Sequence, residues 1–476
     1  MDILTAVFAI AVLLVEIMGI LAAVHAVMNA RTSQGAAAWA IALVALPFVT
    51  LVLYAIFGRN KFHGYVSMRS QRDAVIHHLS DDLQVEAHRK NLTRKSVSEA
   101  DAALVGLAGM PILGFNQSRL LINGQETFDH LFEDIDAARR YILVHFYVVT
   151  DDHLGRRLKD SLIQKAQNGV SVYFLYDEIG SYQLPGRYLR EMQQAGIQVS
   201  AFHSTRGKTN HFQLNFRNHR KIVVIDGDTA YVGGHNVGDA YLSRHPRFGL
   251  WRDTHVKIEG PITKAIQFCF IEDWHWATSQ LPDLNWELTP SPDGTEEALM
   301  MATGPADVLE TCGLMFVQVI NMAKERIWIA SPYFVPDLQV LSALKLAVLR
   351  GVDVRILLPE KPDHRTVHLA SFSYYPNTLP VGIKLYRYTA GFLHQKVFLV
   401  DHQCAAVGTA NLDNRSFRLN FELTLLNYDA AFVDAVADML EEDFHHSRPV
   451  KLEEYTERHF LFRLAVRSAR LLAPIL

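Results

Sequence analysis

The run His219-Arg220-Lys221-Ile222-Val223-Val224-Ile225-Asp226, continued to Gly233-Gly234-His235-Asn236, decides the fold, because its fixed positions return as His394, Lys396, Asp401, Gly408 and Asn411. No residue is gained or lost between the five positions, so a spaced constellation is duplicated and not a short tripeptide. Alternation puts His219, Lys221, Val223 and Ile225 on one side of an extended chain, and Arg220, Ile222 and Val224 on the other. A strand over this run opens with an imidazole and an ammonium side by side. His394, Lys396, Phe398 and Val400 repeat the arrangement.

Each copy offers an imidazole, an ammonium and a carboxamide. Imidazole attacks or carries a proton near neutral pH, lysine supplies charge with three donors, and asparagine adds a directional hydrogen bond. That set suits an anionic group such as phosphate. It does not have the form of a metal centre, and Cys269, Cys312 and Cys404 follow no ligand spacing, so they read as buried thiols. Neither a metal nor another cofactor is expected.

The 476-residue chain exceeds one ordinary domain, and its 49% hydrophobic content allows for both a core and membrane segments. A formal net charge of −4 argues against attachment to nucleic acid by global charge, so no nucleic-acid partner is expected. Residues 3–24 are apolar except for Glu16, and residues 36–57 carry no charge. Each run is long enough for a hydrocarbon core of about 30 Å. Two transmembrane helices within a membrane region 1–61 are the expectation, and Met1-Asp2 lacks the basic start of a signal peptide. Glu16 is expected to face the partner helix, a cavity or another protomer. Only Arg31 lies between the runs, whereas Arg59, Lys61, Arg69, Arg72, Arg89, Lys90, Arg94 and Lys95 follow the second. The positive-inside rule then places both ends and the body of a multi-pass protein in the cytoplasm.

A polar connector, 62–110, leads into a first half, 111–282, in which 141–149, 169–176 and 196–199 read as strands ahead of the first motif. The second half, 298–450, repeats that order with 327–334, 351–358 and 382–385 ahead of the second motif. Whole domains are duplicated, and strands alternating with helices predict an α/β architecture. The Pro- and acid-bearing stretch 283–297 reads as the linker. Residues 451–476 form a basic amphipathic segment, suited either to an anionic membrane surface or to packing as a helix on the domain.

The twin motif resembles the phospholipase D superfamily. The stretch 214–221, the segment Asn411-Leu412-Asp413-Asn414-Arg415-Ser416-Phe417 and the two apolar runs extend that resemblance to the bacterial cardiolipin synthases. The resemblance implies two pseudo-symmetric sheet-and-helix domains sharing one active site, with His219, Lys221, Asp226, His394, Lys396 and Asp401 as signature residues. Asn236 and Asn411 would bind phosphate. Thr409 stands where the superfamily often has serine, so a phosphate contact is open to it, whereas Gly234 at the matching position has no hydroxyl. Asp226 and Asp401 sit at the far ends of their strands and are expected to make structural ion pairs. An acid some thirty residues after each histidine orients it in the superfamily, which carries that role to Asp253 after His219 and to Glu422 after His394.

The implied activity passes a phosphatidyl group between two phosphatidylglycerol molecules through a phosphatidyl-histidine on His219, with His394 as acid and then base. The implied location is the bacterial inner membrane, with phospholipid and bilayer as partners and room for an oligomer. A membrane-bound phospholipase D that hydrolyses lipids, and a nuclease of the same superfamily, remain alternatives.

Overall fold

The computed structural model describes residues 3–58, 62, 65, 74–202 and 215–476, and in it the repeat is a repeat of sheets. In the first half the strands lie side by side in the order Gln198–Phe202, Ser171–Asp177, Tyr141–Phe146, Ile222–Ile225, Thr229–Gly233, Thr254–Glu259 and Leu113–Ile122. In the second half the order is Lys384–Tyr388, Asp353–Pro359, Arg326–Ala330, Val397–Val400, Cys404–Gly408, Asn420–Asn427 and Glu296–Thr303. The two sheets join where Leu113–Ile122 runs antiparallel to Glu296–Thr303, Leu113 opposite Ala298. Arg59, Lys61, Arg69, Arg72 and Leu214, used in the sequence reading, lie outside the described residues.

Both motif strands are buried on both faces, as their unbroken apolar runs require. Val223 and Ile225 join an outer apolar cluster of the first half that also takes in Phe392, whereas Ile222 and Val224 share a cluster with Leu399, Leu423 and Leu440 of the second half. The inner cluster is therefore the seam between halves, and helices Ile262–Thr278 and Ala430–His445 contribute to it. Arg220 lies in this seam and donates to Asp273 Oδ2 at 2.9 Å, a buried ion pair that replaces water around both charges. His219 and Lys221 precede the strand Ile222–Ile225 and are not part of it.

The motif aspartates hold backbone. Asp226 accepts amide hydrogens from Arg139, Arg140 and Tyr141 at 2.7–2.9 Å, and Asp401 accepts from Lys324, Glu325 and Arg326 at 2.8–2.9 Å. Both adopt left-handed φ, 55° and 50°, which aspartate tolerates better than most residues. Each acid thus ties the end of a motif strand to the start of its neighbour. This corrects the expected ion pairs: main-chain amides, not cations, satisfy these carboxylates. An extended chain from His219 to Asp226 covers about 20 Å, so the aspartates stand too far from the histidines to share their chemistry.

The connector and linker are packed rather than free. Helix Ala74–Arg89 buries Leu83 and Ala87 in the seam, and helix Glu99–Ala108 buries Leu104 against Met315 and Phe316 of the second half. Leu284 and Leu288 of the linker are buried, and its last residues already belong to strand Glu296–Thr303. The C-terminal helix Phe460–Arg470 sets Phe462 against Phe372 at 5.4 Å while exposing Phe460, Leu461 and Leu464, so it packs by one face only.

The first apolar run is one helix, Ile3–Asn29, about 40 Å long and enough to cross a bilayer. The second is not. Pro47 opens a separate helix, Pro47–Phe57, after Ser33–Ala45, and the Leu46 backbone between them is non-helical at φ −138°, ψ 58°. Proline is tolerated at a helix start but pushes the residue before it out of the helical region. A straight helix would hold Trp39 and Tyr54 about 22 Å apart. Their rings lie 5.1 Å apart, so the chain doubles back at Leu46. His25 Nδ1, 2.8 Å from the Tyr54 hydroxyl, pins the returning arm to the first helix. Arg31 in the intervening turn pairs with Glu310 of the second half at 2.9 Å, and Phe62 beyond the returning arm is buried among Phe216, Trp276 and Phe421. Both ends of the doubled-back hairpin lie beside the body, which corrects the expected single helix over 36–57.

Candidate active site

The residues just before each motif histidine pair with the opposite half. Arg217–Asn218 runs parallel to Asn420–Asn427, with Asn218 opposite Phe421, and the His219 amide donates to Phe421 O at 2.9 Å. Phe392–Leu393 runs parallel to Trp251–Arg252, and the His394 amide donates to Arg252 O at 2.8 Å. One step further along each ladder sets Glu422 beside His219 and Asp253 beside His394. His219 Nδ1 lies 2.8 Å from Glu422 Oε2, and His394 Nδ1 lies 2.7 Å from Asp253 Oδ2.

The orienting acids are thus crossed between halves. Asp253 does not serve the histidine that precedes it in sequence, and neither does Glu422; the strand that carries each acid adds its register to the other half's motif.

All four groups are buried. Burial lowers His219 to about 4 against the opposing pull of Glu422. Burial alone would raise Glu422, but His219 and Lys221 hold it below its ordinary value. The two directions describe a neutral imidazole that donates Nδ1–H to a carboxylate and keeps its Nε2 lone pair. Burial, then the Lys396 charge, lowers His394. Burial would likewise raise Asp253, but Lys396, His235 and His394 outweigh it and keep the acid ionised. Glu422 also accepts from Ser416 Oγ at 2.8 Å and Asn420 Nδ2 at 3.0 Å, and Asp253 accepts from the Thr254 amide at 2.9 Å.

Lys221 Nζ donates to His219 O at 2.6 Å, and Lys396 Nζ donates to His394 O while standing 2.9 Å from His394 Nδ1. Burial lowers Lys221 to about 7 and Lys396 to about 8. The Lys396 charge acts on both His219 and Lys221, and the Asp253 charge acts on Lys221, so the two motifs form one site across the seam. Two histidines, each with a carboxylate behind it and an ammonium beside it, can attack phosphorus from one residue and move a proton with the other.

Residues 131–267 and 316–446 match the family model for the cardiolipin synthase, phospholipase D-like domain, and residues 17–59 match the phospholipase D-nuclease N-terminal model. The chain belongs to the cardiolipin synthase family. Cardiolipin synthase A of Pseudomonas putida (strain F1) is 48% identical to it over 468 residues, 97% of both chains. Cardiolipin synthase A of Pseudomonas aeruginosa PAO1 is 49% identical over 467 residues, 97% of this chain and 95% of that one. Among solved structures, phosphatidylserine synthase of Haemophilus influenzae Rd KW20 has a TM-score of 0.58 at 17% identity, covering 80% of this chain and 100% of that one, a likeness of fold.

Within this member of the cardiolipin synthase family the remaining predicted site residues divide. Asn236 accepts from the Val148 amide at 3.0 Å and donates to the Tyr241 hydroxyl at 3.0 Å, which fixes its carboxamide and leaves one N–H to give. Asn411 follows strand Cys404–Gly408, and its main-chain amide donates to Ser416 Oγ at 3.0 Å. Thr409 takes a different part: its hydroxyl accepts from the Leu423 amide at 2.8 Å and faces Leu423 O at 3.3 Å. The open phosphate contact is thereby corrected, because the hydroxyl is committed to the strand that carries Glu422.

Gly234 explains why the matching position differs. A Cβ there would come within 1.9 Å of Asp253 Oδ1, so the shorter acid needs the space that a side chain would fill, whereas the longer Glu422 reaches past Thr409. Gly234→Ala is expected to displace Asp253 and cut turnover about a hundredfold with the fold kept, as misplacement of a catalytic group does. Unaltered turnover with a native circular dichroism spectrum would remove the argument from close approach.

Sequence reading missed Tyr147, whose ring stands 5.0 Å from that of His219, and the Ser416 and Asn420 bonds to Glu422. Ser416 and Asn420 stand close to Asn411 and Glu422 along the chain, but their contacts depend on how helix Asn414–Arg418 turns back.

Proposed function

We propose that this protein is a cardiolipin synthase, moving the phosphatidyl group of one phosphatidylglycerol to the primary hydroxyl of a second and releasing glycerol. The observation that carries the reading is the pair of buried histidines, each held by a carboxylate from the opposite half, in a chain 48% identical over 97% of its length to proteins of that name. His219, its Nδ1–H committed to Glu422, attacks phosphorus through Nε2 as His394 gives a proton to the departing glycerol oxygen. His394, now neutral, takes the proton from the second lipid's hydroxyl, whose oxygen attacks phosphorus and restores His219. Lys221 and Lys396 neutralise the charge that builds on the phosphoryl oxygens, and Asn236 and Asn411 direct N–H groups to them. In this reading the first catalytic half spans 111–282 and the second 298–450.

The test uses the full chain in vesicles of isotopically labelled phosphatidylglycerol, with products followed by mass spectrometry and His219→Ala as control. Cardiolipin and glycerol in equal amounts, absent in the variant, are expected. Phosphatidic acid without cardiolipin would make the protein a membrane-bound phospholipase D.

The membrane arrangement in this reading is one crossing by helix Ile3–Asn29 and a hairpin, Ser33–Ala45 and Pro47–Phe57, that enters and leaves by the body's own leaflet. Each arm rises less than about 20 Å, short of a 30 Å core. Arg31 then shares a side with Arg89, Lys90, Arg94 and Lys95, so under the positive-inside rule this reading has the catalytic body in the cytoplasm and the Ile3 end of the first helix outside. The exposed Phe460, Leu461 and Leu464 of the basic C-terminal helix suit the same membrane surface. A cysteine at Leu4 should react with an impermeant thiol reagent in intact cells, and one at Ser33 should not. The reverse pattern would restore two full spans with both ends inside.

A further inference from the structure

The two histidines are walled differently. Trp251 stands 5.1 Å and Phe392 5.8 Å from the His394 ring, with Phe248 against Phe392 at 4.7 Å. Tyr147 stands beside His219, and the position two residues before the histidine, Phe392 in the second copy, is Arg217 in the first. The charges of Arg217 and Arg415 both act on Tyr147, and the Arg415 guanidinium bonds Asn215, two residues before Arg217. The position matching Arg415, four residues after the motif asparagine, is Ala240 in the first copy. The pseudo-symmetry therefore breaks into an aromatic wall at His394 and, at His219, a tyrosine on which two guanidinium charges act.

Arg415 is held by neutral oxygens: Asn215 Oδ1 at 3.2 Å, Asn215 O at 2.7 Å and Ile475 O at 3.0 Å. The nearby acids are engaged by main-chain amides instead, Asp177 by those of Ile179, Gly180 and Asn218, and Asp413 by that of Ser416. Burial first, and then the Arg217 charge, lowers the Arg415 pKa. Two guanidinium charges that act on each other, Arg415 being held by neutral oxygens beside the Arg217 segment, are an arrangement that an anion stabilises, and the planar fork of arginine matches a phosphodiester. Arg415 also donates its amide to Leu476 O, and Arg418 bonds Glu310, the partner of Arg31 at the base of the hairpin. The short helix Asn414–Arg418 that carries Arg415 thus also reaches, through Arg418, the ion pair at the base of the hairpin.

We propose that Arg217 and Arg415 form a subsite for a second phosphodiester, that of the phosphatidylglycerol whose hydroxyl accepts the phosphatidyl group. This rests on the cardiolipin synthase reading above. In the second step the acceptor's oxygen forms a bond to phosphorus, the phosphorus–nitrogen bond to histidine breaks, and the hydroxyl proton passes to the other histidine; the acceptor's own phosphodiester is unchanged. That phosphodiester lies one glycerol away from the reacting oxygen, whereas water and free glycerol carry none. An anion subsite at that distance favours lipid over water as acceptor, which distinguishes a transferase from a hydrolase built on the same two motifs.

The test offers two acceptors at once to the full chain in phosphatidylglycerol vesicles: the lipid itself and labelled free glycerol, whose exchange into phosphatidylglycerol reports the same intermediate meeting a neutral alcohol. Arg217→Gln and Arg415→Lys should lower the ratio of cardiolipin to exchange product about ten- to a hundredfold, the loss of one charge-assisted contact, with Arg217→Lys recovering part of it. The change should lie in the lipid concentration needed for half-maximal cardiolipin formation. A ratio that stays at the wild-type value in Arg217→Gln and Arg415→Lys overturns the subsite; if Arg217→Gln does not fold, an unchanged ratio in Arg217→Lys and Arg415→Lys does so. A wild-type protein that makes exchange product and no cardiolipin overturns the cardiolipin synthase reading itself.

Discussion

Glu422→Gln is expected to lower turnover about a thousand- to ten-thousandfold, close to the loss from removing His219 itself, although Glu422 belongs to the half that carries the other histidine. The carboxylate fixes His219 with Nδ1 as donor and steadies the cation that forms when Nε2 bonds to phosphorus. A carboxamide turned to accept from Nδ1 keeps the shape and loses that charge, and one turned to donate selects the wrong tautomer. Asp253→Asn should match it through His394. A disulfide test reads the crossing without kinetics. In parallel neighbouring strands the His219 and Glu422 backbones are about 5 Å apart, within reach of a disulfide. The double variant His219→Cys/Glu422→Cys should therefore close a large loop under oxidation and migrate faster on a non-reducing gel, whereas His219→Cys/Asp253→Cys should not. Cross-linking in the second variant and not in the first would return each acid to its own histidine.

Why the crossing escaped sequence reading is a matter of scale. The histidines, lysines and aspartates were legible because five positions at fixed spacing recur, and the strands 141–149 and 351–358 were legible because burial on both faces leaves an unbroken apolar run. The contact that fixes each acid is a two-residue ladder, Arg217–Asn218 on Asn420–Asn427 for Glu422 and Phe392–Leu393 on Trp251–Arg252 for Asp253, each joining segments far apart in the chain. Two residues carry no periodicity to read. Thr409 was assigned by its hydroxyl, and only the position of the Leu423 amide shows where that hydroxyl is used. The turn at Leu46 is a different case: Pro47 was visible in the sequence, but a count of apolar residues passes over proline, and the steric rule for the residue before it was the signal to use. Arg31 illustrates the consequence, since one positive charge assigned to the far side of a membrane stands 2.9 Å from Glu310 on the body.

The lysines should shape the alkaline limb of the reaction between about 7 and 8. Burial brings Lys221 down to about 7 and Lys396 to about 8, from an ordinary lysine value near 10.5. The charged form is the one that stabilises the phosphoryl oxygens, so kcat/KM, which reports the free enzyme, should lose these cations as pH rises through 7 to 8, after an earlier loss as His394, lowered from its ordinary value by burial and Lys396, gives up the proton it delivers to the leaving oxygen. His219, near 4, stays neutral and nucleophilic across that range, so it imposes no loss until the pH approaches 4. Lys221→Met and Lys396→Met should each lower kcat about a hundred- to a thousandfold, the scale of one preorganised donor at a developing charge. They differ in a second respect. The Lys396 charge is among the causes that lower His394, so Lys396→Met should raise the His394 titration, while Lys221→Met leaves that residue's strongest neighbouring cation in place. Arginine stays charged throughout, so Lys221→Arg and Lys396→Arg should be slower than the wild type, each losing its own share of the fall between 7 and 8. A wild-type alkaline limb near 10 would show that both ammonium groups titrate as solvent-exposed lysines do, and would dismiss burial as the force that tunes them.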